Sequence, residues 1–365
     1  MAFLLLTGGS FLRVTHVDAA ALTWDGGGGD NNWSTCANWT SDTCPVSGDT
    51  VTFNSTSTKA STIDGAWGGT VAGITVTTGY SGTITVARSL VVNGTYSQST
   101  GTFDAGSNSV DMNGAFTLSG GIYTASSGTT THSGAMTISG SPTFSANGGT
   151  WTFDGTTTAT LSCNNVTFNL VTFNHDTNAG KTVSSNCTLP LGNNPSIGTA
   201  SSQDLTLDGT LTGSGTVTVG TKNASNLLTL NSTGVLTGFS GLDAGKLTIA
   251  GGTYDFSSYS TLFAVSSPYS QTAGVVTLPD GADFNSTFTV SSGATLNASS
   301  GITNFSNNFT LNSGAIFNHN NGTLDFDGGA AGVVTCNGAI VYKATFTHTS
   351  NFTKTVGAHL YFTPR

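Results

Sequence analysis

Glutamate is absent from this 365-residue chain; all 18 acidic residues are Asp. Lys and Arg together number 9, and charged residues make up only 7% of the chain, against about 25% in an ordinary globular domain. Glu, Lys and Arg are ready formers of exposed helix, so their scarcity argues against helices. The few basic residues are scattered singly and make no footprint for nucleic acid. No apolar run reaches the ~18 residues that a membrane-spanning helix needs. There is no C-x-x-C and no His at ligand-like spacing from two Cys, so no zinc set is legible. Neither an adjacent Asp-Asp nor a Gly-His-Gly occurs, and Arg88 is the lone interior Arg.

What fills the chain instead is Gly, at 49 residues, with Thr, Ser and Asn. The apolar share is 36% and comes in regular doses, which argues against disorder. Thr, Val, Phe, Tyr and Ile suit a pleated, half-buried surface. The formal charge is −9.

Long-period self-similarity organises the sequence. The stretch 151–183, WTFDGTTTATLSCNNVTFNLVTFNHDTNAGKTV, returns without a gap at 324–356, LDFDGGAAGVVTCNGAIVYKATFTHTSNFTKTV. The offset is constant: Phe153-Asp154-Gly155 falls on Phe326-Asp327-Gly328, Cys163 on Cys336, His175 on His348 and Lys181 on Lys354. A shorter period lies inside the first copy. Asn93-Gly94, Asn113-Gly114, Ser133-Gly134 and Asp154-Gly155 follow one another at an almost fixed step. Each step holds short runs of alternating apolar and Thr/Ser residues, such as Phe116-Thr117-Leu118, which is strand period rather than helix period. A fixed step of about 20 residues is the length of one solenoid coil. The span 61–356 then makes about 14 coils, roughly 70 Å at ~4.8 Å per coil. The expected fold is all-β, a right-handed parallel β-helix with an N-terminal cap.

The expected domains are 1–21, a leader; 22–60, the cap; 61–192, a first solenoid module; and 193–365, a second module incomplete at its C-terminus. The leader reading rests on the apolar run Ala2–Leu12 and the small residues Ala19-Ala20-Ala21. Its removal takes away Arg13 and Asp18, leaving the charge at −9. The stretch 187–198, CTLPLGNNPSIG, reads as a loop and a seam between modules.

Trp24, Trp33, Asn38-Trp39, Pro45 and Gly48-Asp49-Thr50-Val51-Thr52-Phe53 form an opening that resembles that of secreted bacterial surface proteins of the autotransporter and adhesin type. The resemblance implies the first coil of a parallel β-helix and a secreted or cell-surface location. An end coil exposes an apolar cross-section and a bare strand edge, and Trp24, Trp33 and Trp39 are candidate lids.

Cysteine spacing suggests two bridges. Cys36 and Cys44 close a small loop. Cys163 and Cys187 lie one coil plus a turn apart, so they can meet on neighbouring coils. Leu360 stands where the copy of Cys187 should be, which leaves Cys336 as a free thiol.

The remaining candidates are weaker. Asp325 and Asp327, two apart, could form the carboxylate pair of an inverting glycosidase, but their first-copy positions are Thr152 and Asp154. Asp104, Asp154, Asp208 and Asp327 read as turn caps before or near Gly. His175 and His348 read as structural, and Lys181 and Lys354 as outer-face residues. Asp25–Asp30, DGGGGD, hints at Ca²⁺ but misses the G-G-x-G-x-D pattern. Thr-x-Thr pairs, a way to bind ice, do not recur once per coil. No cofactor and no catalytic set is expected. The sequence favours a structural surface protein, adhesin, stalk or fibre subunit, associating end to end. The alternative is a β-helix that binds or cleaves a glycan.

Overall fold

The computed structural model describes residues 19–175, 178–198, 203–220, 225–347, 353–357 and 360–362. Among these residues there are strands, turns and two short 3-10 segments, Cys36–Asn38 and Thr40–Asp42, and no α-helix. Strand pairs with strand in parallel throughout, and neighbours in each sheet are never consecutive along the chain beyond the first pair. Parallel neighbours cannot be joined by a tight hairpin, so the chain must complete a circuit before it returns to the same edge.

One circuit shows the plan. Tyr96–Gln98, Thr102–Asp104 and Val110–Met112 form three sides, and Phe116–Leu118 begins the next coil. Tyr96 pairs with Phe116, Thr102 with Ile122 and Val110 with Thr130, each partner one coil further along. Turns are held to this spacing by close backbone approach. A Cβ on Gly114 would lie 2.3 Å from the Gly94 backbone, and one on Gly134 would lie 2.2 Å from the Gly114 carbonyl oxygen. The Asn-Gly and Ser-Gly turns of the sequence are therefore a stacked column.

The result is a parallel β-solenoid of about 14 turns with about 21 residues per turn. One face is a 16-stranded sheet from Ala21–Thr23 to Lys354–Val356. A second is a 14-stranded sheet from Thr70–Val71 to Lys343–Thr345. The third face is broken into groups of 5, 3, 4 and 2 strands. Coil length varies along the stack. The coil from Tyr269 to its partner Phe288 is a short one, and that from Phe309 to its partner Val334 is longer.

Side chains alternate in and out of each short strand. Inward positions build one continuous core. Because consecutive coils are in register, like stacks on like. Tyr96 lies on Phe116 with centroids 5.2 Å apart, Phe103 on Tyr123 at 5.1 Å, and Phe288 on Phe309 at 5.4 Å, each pair within 7° of parallel. Such pairs contribute about 0.5–1.5 kcal/mol each beyond burial.

The segment 22–60 lies at one end. Trp24, Trp33 and Trp39 are fully buried, Trp39 meets the other two edge-on, and all three touch Phe53. The Cys36–Cys44 bridge closes the loop that carries Trp39. The strand Ala21–Thr23 straddles the expected end of the leader, with Ala21 paired to Thr50.

Two expectations are corrected. The stretch 187–198 is not a loop: Thr188–Asn193 is a strand and Ser196–Ile197 another. Its turn residues fall at a register shift between Pro190 and Asn193 rather than at a break in the stack. Lys181 is not on the outer face; it is 1% exposed. The lysine stem is long enough to cross the coil wall, and its head finds carbonyl groups inside.

Candidate functional site: a duplicated serine, aspartate and lysine cluster

The long repeat converges on a polar cluster in each copy. In the first, the Ser133 hydroxyl donates to Asp154 Oδ1 at 2.8 Å, one coil on. Lys181 Nζ donates to the Ser133 carbonyl at 2.7 Å and to the Thr157 carbonyl at 3.0 Å. In the second, Ser306 donates to Asp327 Oδ1 at 2.9 Å and Lys354 Nζ to the Ser306 carbonyl at 2.6 Å. Burial pulls the Lys181 ammonium down to about 8, with Asp154 opposing the shift. Burial also pushes the Asp154 carboxyl above the usual range, with Ser133 opposing it. Lys354 is half-buried and shifted downward by the same cause.

His132 lies beside the first cluster, fully buried, with Nδ1 3.2 Å from the Met112 carbonyl oxygen. Burial, and then the nearby Lys181 charge, lower it to about 4. It is therefore neutral at physiological pH. Its equivalent in the second copy is Phe305, which packs on Phe326. His175 is also fully buried, and His348 lies outside the described residues.

A second duplicated element escaped the sequence reading. Tyr96-Ser97-Gln98 recurs as Tyr269-Ser270-Gln271, at the offset that carries Cys163 onto Cys336. In each copy the tyrosine hydroxyl donates to the glutamine Oε1, at 2.7 and 3.3 Å. Each glutamine Nε2 then donates across to the next coil, to Ile122 O at 2.9 Å and to Thr295 O at 2.8 Å. The Tyr-Ser-Gln triplet was the available clue; small compensating shifts between it and Trp151 hid the longer repeat.

The aspartates serve coil stacking more than turn capping. Asp104 does cap its own turn, accepting from the Gly106 N–H at 3.0 Å. Asp154, Asp208 and Asp327 instead accept from Ser133, Asn231 and Ser306 on adjacent coils. Sequence shows the following Gly but not the partner a coil away. Asp325 and Asp327 flank the buried Phe326, and both accept hydrogen bonds. Asp325 accepts from the Thr345 and Thr347 hydroxyls at 2.7 and 2.6 Å, and Asp327 accepts from Ser306.

Cys163 and Cys187 are bonded across neighbouring coils with Cα atoms 4.9 Å apart. Cys336 is a buried free thiol, pushed up to about 11 by burial. In the Gly-rich loop, Lys59 Nζ donates to the Gly26 and Gly28 carbonyls at 3.0 and 2.7 Å. Asp25 accepts from Gly27, and Asp30 from Asn32, Thr35 and Asn38. A lysine ammonium thus already sits among the carbonyls a cation would seek. Among the described residues no three His, Cys or Asp side chains group as metal ligands.

The outer surface of the 16-stranded sheet carries small hydroxyl residues in register. Thr23, Thr52, Thr75, Ser97, Thr117, Thr137 and Ser162 form one row. A second runs Thr160, Thr182, Thr206, Thr229, Thr248, Ser270, Thr289, Thr310 and Thr335. On this sheet the hydroxyl residues thus recur singly, once per coil; on the 14-stranded sheet one Thr-x-Thr pair, Thr129 and Thr131, stacks on Thr150 and Thr152. An open depression beside Thr182 and Thr206 is lined by Lys181, Asp204 and Lys246 and has no aromatic ring in its lining.

No known protein family, curated protein or solved structure matches this chain.

Proposed function

We propose that this protein is a non-enzymatic, exported rod, a stalk, adhesin or filament subunit of a bacterial surface. The Thr/Ser rows along the long sheet carry the reading. They are short, uncharged and repeated from coil to coil, which suits a spacer, whereas a hydrolase needs one differentiated groove. The duplicated clusters support it: in both copies the serine bonds the aspartate and the lysine bonds the serine carbonyl. The two disulfides fit an oxidising compartment. Among the described residues no helix is long and apolar enough to cross a membrane.

End-to-end association belongs to this reading. Ile340, Tyr361 and Phe362 are 48–53% exposed near the last strands of the stack. Exposed apolar side chains on an outer coil of a solenoid are a template for a second copy or for further coils. Light scattering across a concentration range tests it. Growth of particle size in the wild type, abolished by charged residues at Ile340, Phe346 and Leu360, is the expected result. A strictly monomeric wild type would remove association from the proposal.

A glycan-directed reading has one observation in its favour, the placement of Asp325 and Asp327 on either side of Phe326. Incubation with plant and bacterial polysaccharides separates the two. The rod reading expects no release of reducing ends. Release that Asp325→Asn or Asp327→Asn abolishes would overturn it, and labelling of intact producing cells tests surface display independently.

A further inference from the structure

We propose that the leader is cut between Ala19 and Ala20, and that the α-ammonium so released is the counter-charge of the buried Asp49. The inference rests on the export reading. Two cuts satisfy the small-x-small rule at this point of the sequence: after Ala19, with Val17 two residues before it, and after Ala21, with Ala19 two before it. The expected leader, 1–21, corresponds to the second cut.

The structure separates them. Ala19 is exposed, and from Ala20 onward the chain is bonded into the fold. The Ala20 nitrogen donates to Asp49 Oδ1 at 2.7 Å, and the Val46 N–H donates to Asp49 Oδ2 at 2.9 Å. Asp49 is 3% exposed. The Ala20 carbonyl accepts from Thr50 N at 2.9 Å, and Ala21 is already paired in the sheet. The stretch 40–53 contains Asp42 and Asp49 and no basic residue, and Arg88 on the next coil donates to the Gly65 and Trp67 carbonyls. Both donors to Asp49 in the intact chain are backbone N–H groups, and a charged donor makes a stronger bond than a neutral one.

Cutting after Ala19 supplies a charged donor without moving an atom of the fold. Water adds its hydroxyl to the Ala19 carbonyl carbon, the C–N bond breaks, and the nitrogen of Ala20 takes the proton. A further proton from solvent makes it an ammonium, still pointed at Asp49. Cutting after Ala21 does the opposite. It removes the Ala20 donor from Asp49, deletes the first rung of the sheet, and places a new charge on Leu22, which is buried.

The sign of the pH dependence follows. An α-amine titrates near about 7.7–8.0 when free. Pairing with Asp49 raises it in the folded state, so the stabilisation is complete below the unfolded value and fades as pH climbs through the folded one.

The experiment has two arms. The first is intact mass and N-terminal sequencing of protein recovered outside the producing cell. Ala20 as first residue is the expected result. Leu22 as first residue, in exported protein, overturns this inference and leaves export standing; an uncut chain retained inside the cell overturns both. The second arm compares the chain beginning at Ala20 with the same chain preceded by Gly-Ser, which keeps the N–H but removes the charge. The free-amine form should have the higher urea midpoint at pH 6.5, with the gap closing above pH 9. Asp49→Asn should abolish the gap. Equal midpoints at pH 6.5 overturn the ion pair, and this comparison stands even where Asp49→Asn fails to fold.

Discussion

Lys181 and Lys354 perform one task in the two copies of the long repeat: each sends its ammonium to the carbonyl of the serine 48 positions earlier, Ser133 at 2.7 Å and Ser306 at 2.6 Å. The environments differ. Lys181 is sealed in, whereas Lys354 is only half-buried near the end of the described stack.

Lys181→Met should therefore cost about 2–3 kcal/mol, because the buried Ser133 carbonyl and the part-buried bond to the Thr157 carbonyl lose their donor, and Lys354→Met less than about 1 kcal/mol. The folded Lys181 titrates near 8, below its unfolded value of about 10.4. Between those values the unfolded chain binds more protons, so stability from this group rises with pH. Urea midpoints measured from pH 7.5 to 9.5 should climb in the wild type relative to Lys181→Met. Above about pH 10 that difference should level off, while the absolute stability of both proteins should fall. Buried tyrosines such as Tyr254 and Tyr259, raised to about 12 by burial, stay protonated while the unfolded chain ionises.

His132→Phe copies what the second copy of the repeat already has at Phe305. The wild-type histidine is held neutral down to about pH 4. The unfolded chain gains that proton near 6.5, so stability is lost as pH falls through that window, on the order of 2–3 kcal/mol. The variant should match the wild type within about 1 kcal/mol at pH 7 and lose less stability between pH 6.5 and 4. Thermal unfolding at pH 7.0 and 4.5 reads both; an unchanged acid loss would mean that other groups carry it.

Replacing both Cys163 and Cys187 with Ser should destabilise by about 3 kcal/mol, the value expected for a loop of this length. Cys336, by contrast, should resist a thiol reagent at pH 8 in the native protein, since its thiol is buried and titrates near 11. One equivalent of label should appear only after unfolding in denaturant without reductant. Rapid native labelling would show that the last coils open.

Gly114→Ala should be poorly tolerated, costing more than about 2 kcal/mol, because the added methyl would lie 2.3 Å from Gly94 backbone on the coil below. Gly65→Ala meets nothing within 4 Å and should stay within about 0.5 kcal/mol. Denaturation midpoints of the two variants give the comparison directly.

Period and composition made the architecture legible. A fixed step of short apolar alternations, with hardly any helix-forming charge, has few solutions other than stacked coils. Because in-register stacking is one-dimensional, the offset between Cys163 and Cys336 also exposed the missing partner at Leu360. What the sequence left hidden lies between coils. Ser133 reaches Asp154, Gln98 reaches Ile122 and Asp49 reaches Ala20, contacts across 21, 24 and 29 positions. None has a local signature, since a Ser, Gln or Asp beside a turn looks alike whether it faces solvent or the next coil. The same ambiguity put Lys181 outside when it is inside. Local periodicity determines that coils form and how long they are, because strand alternation and turn chemistry act within a few residues. Which polar side chain is buried, what it bonds and which atom balances its charge are settled by the neighbour stacked ~4.8 Å away, and only the tertiary structure brings that neighbour into view.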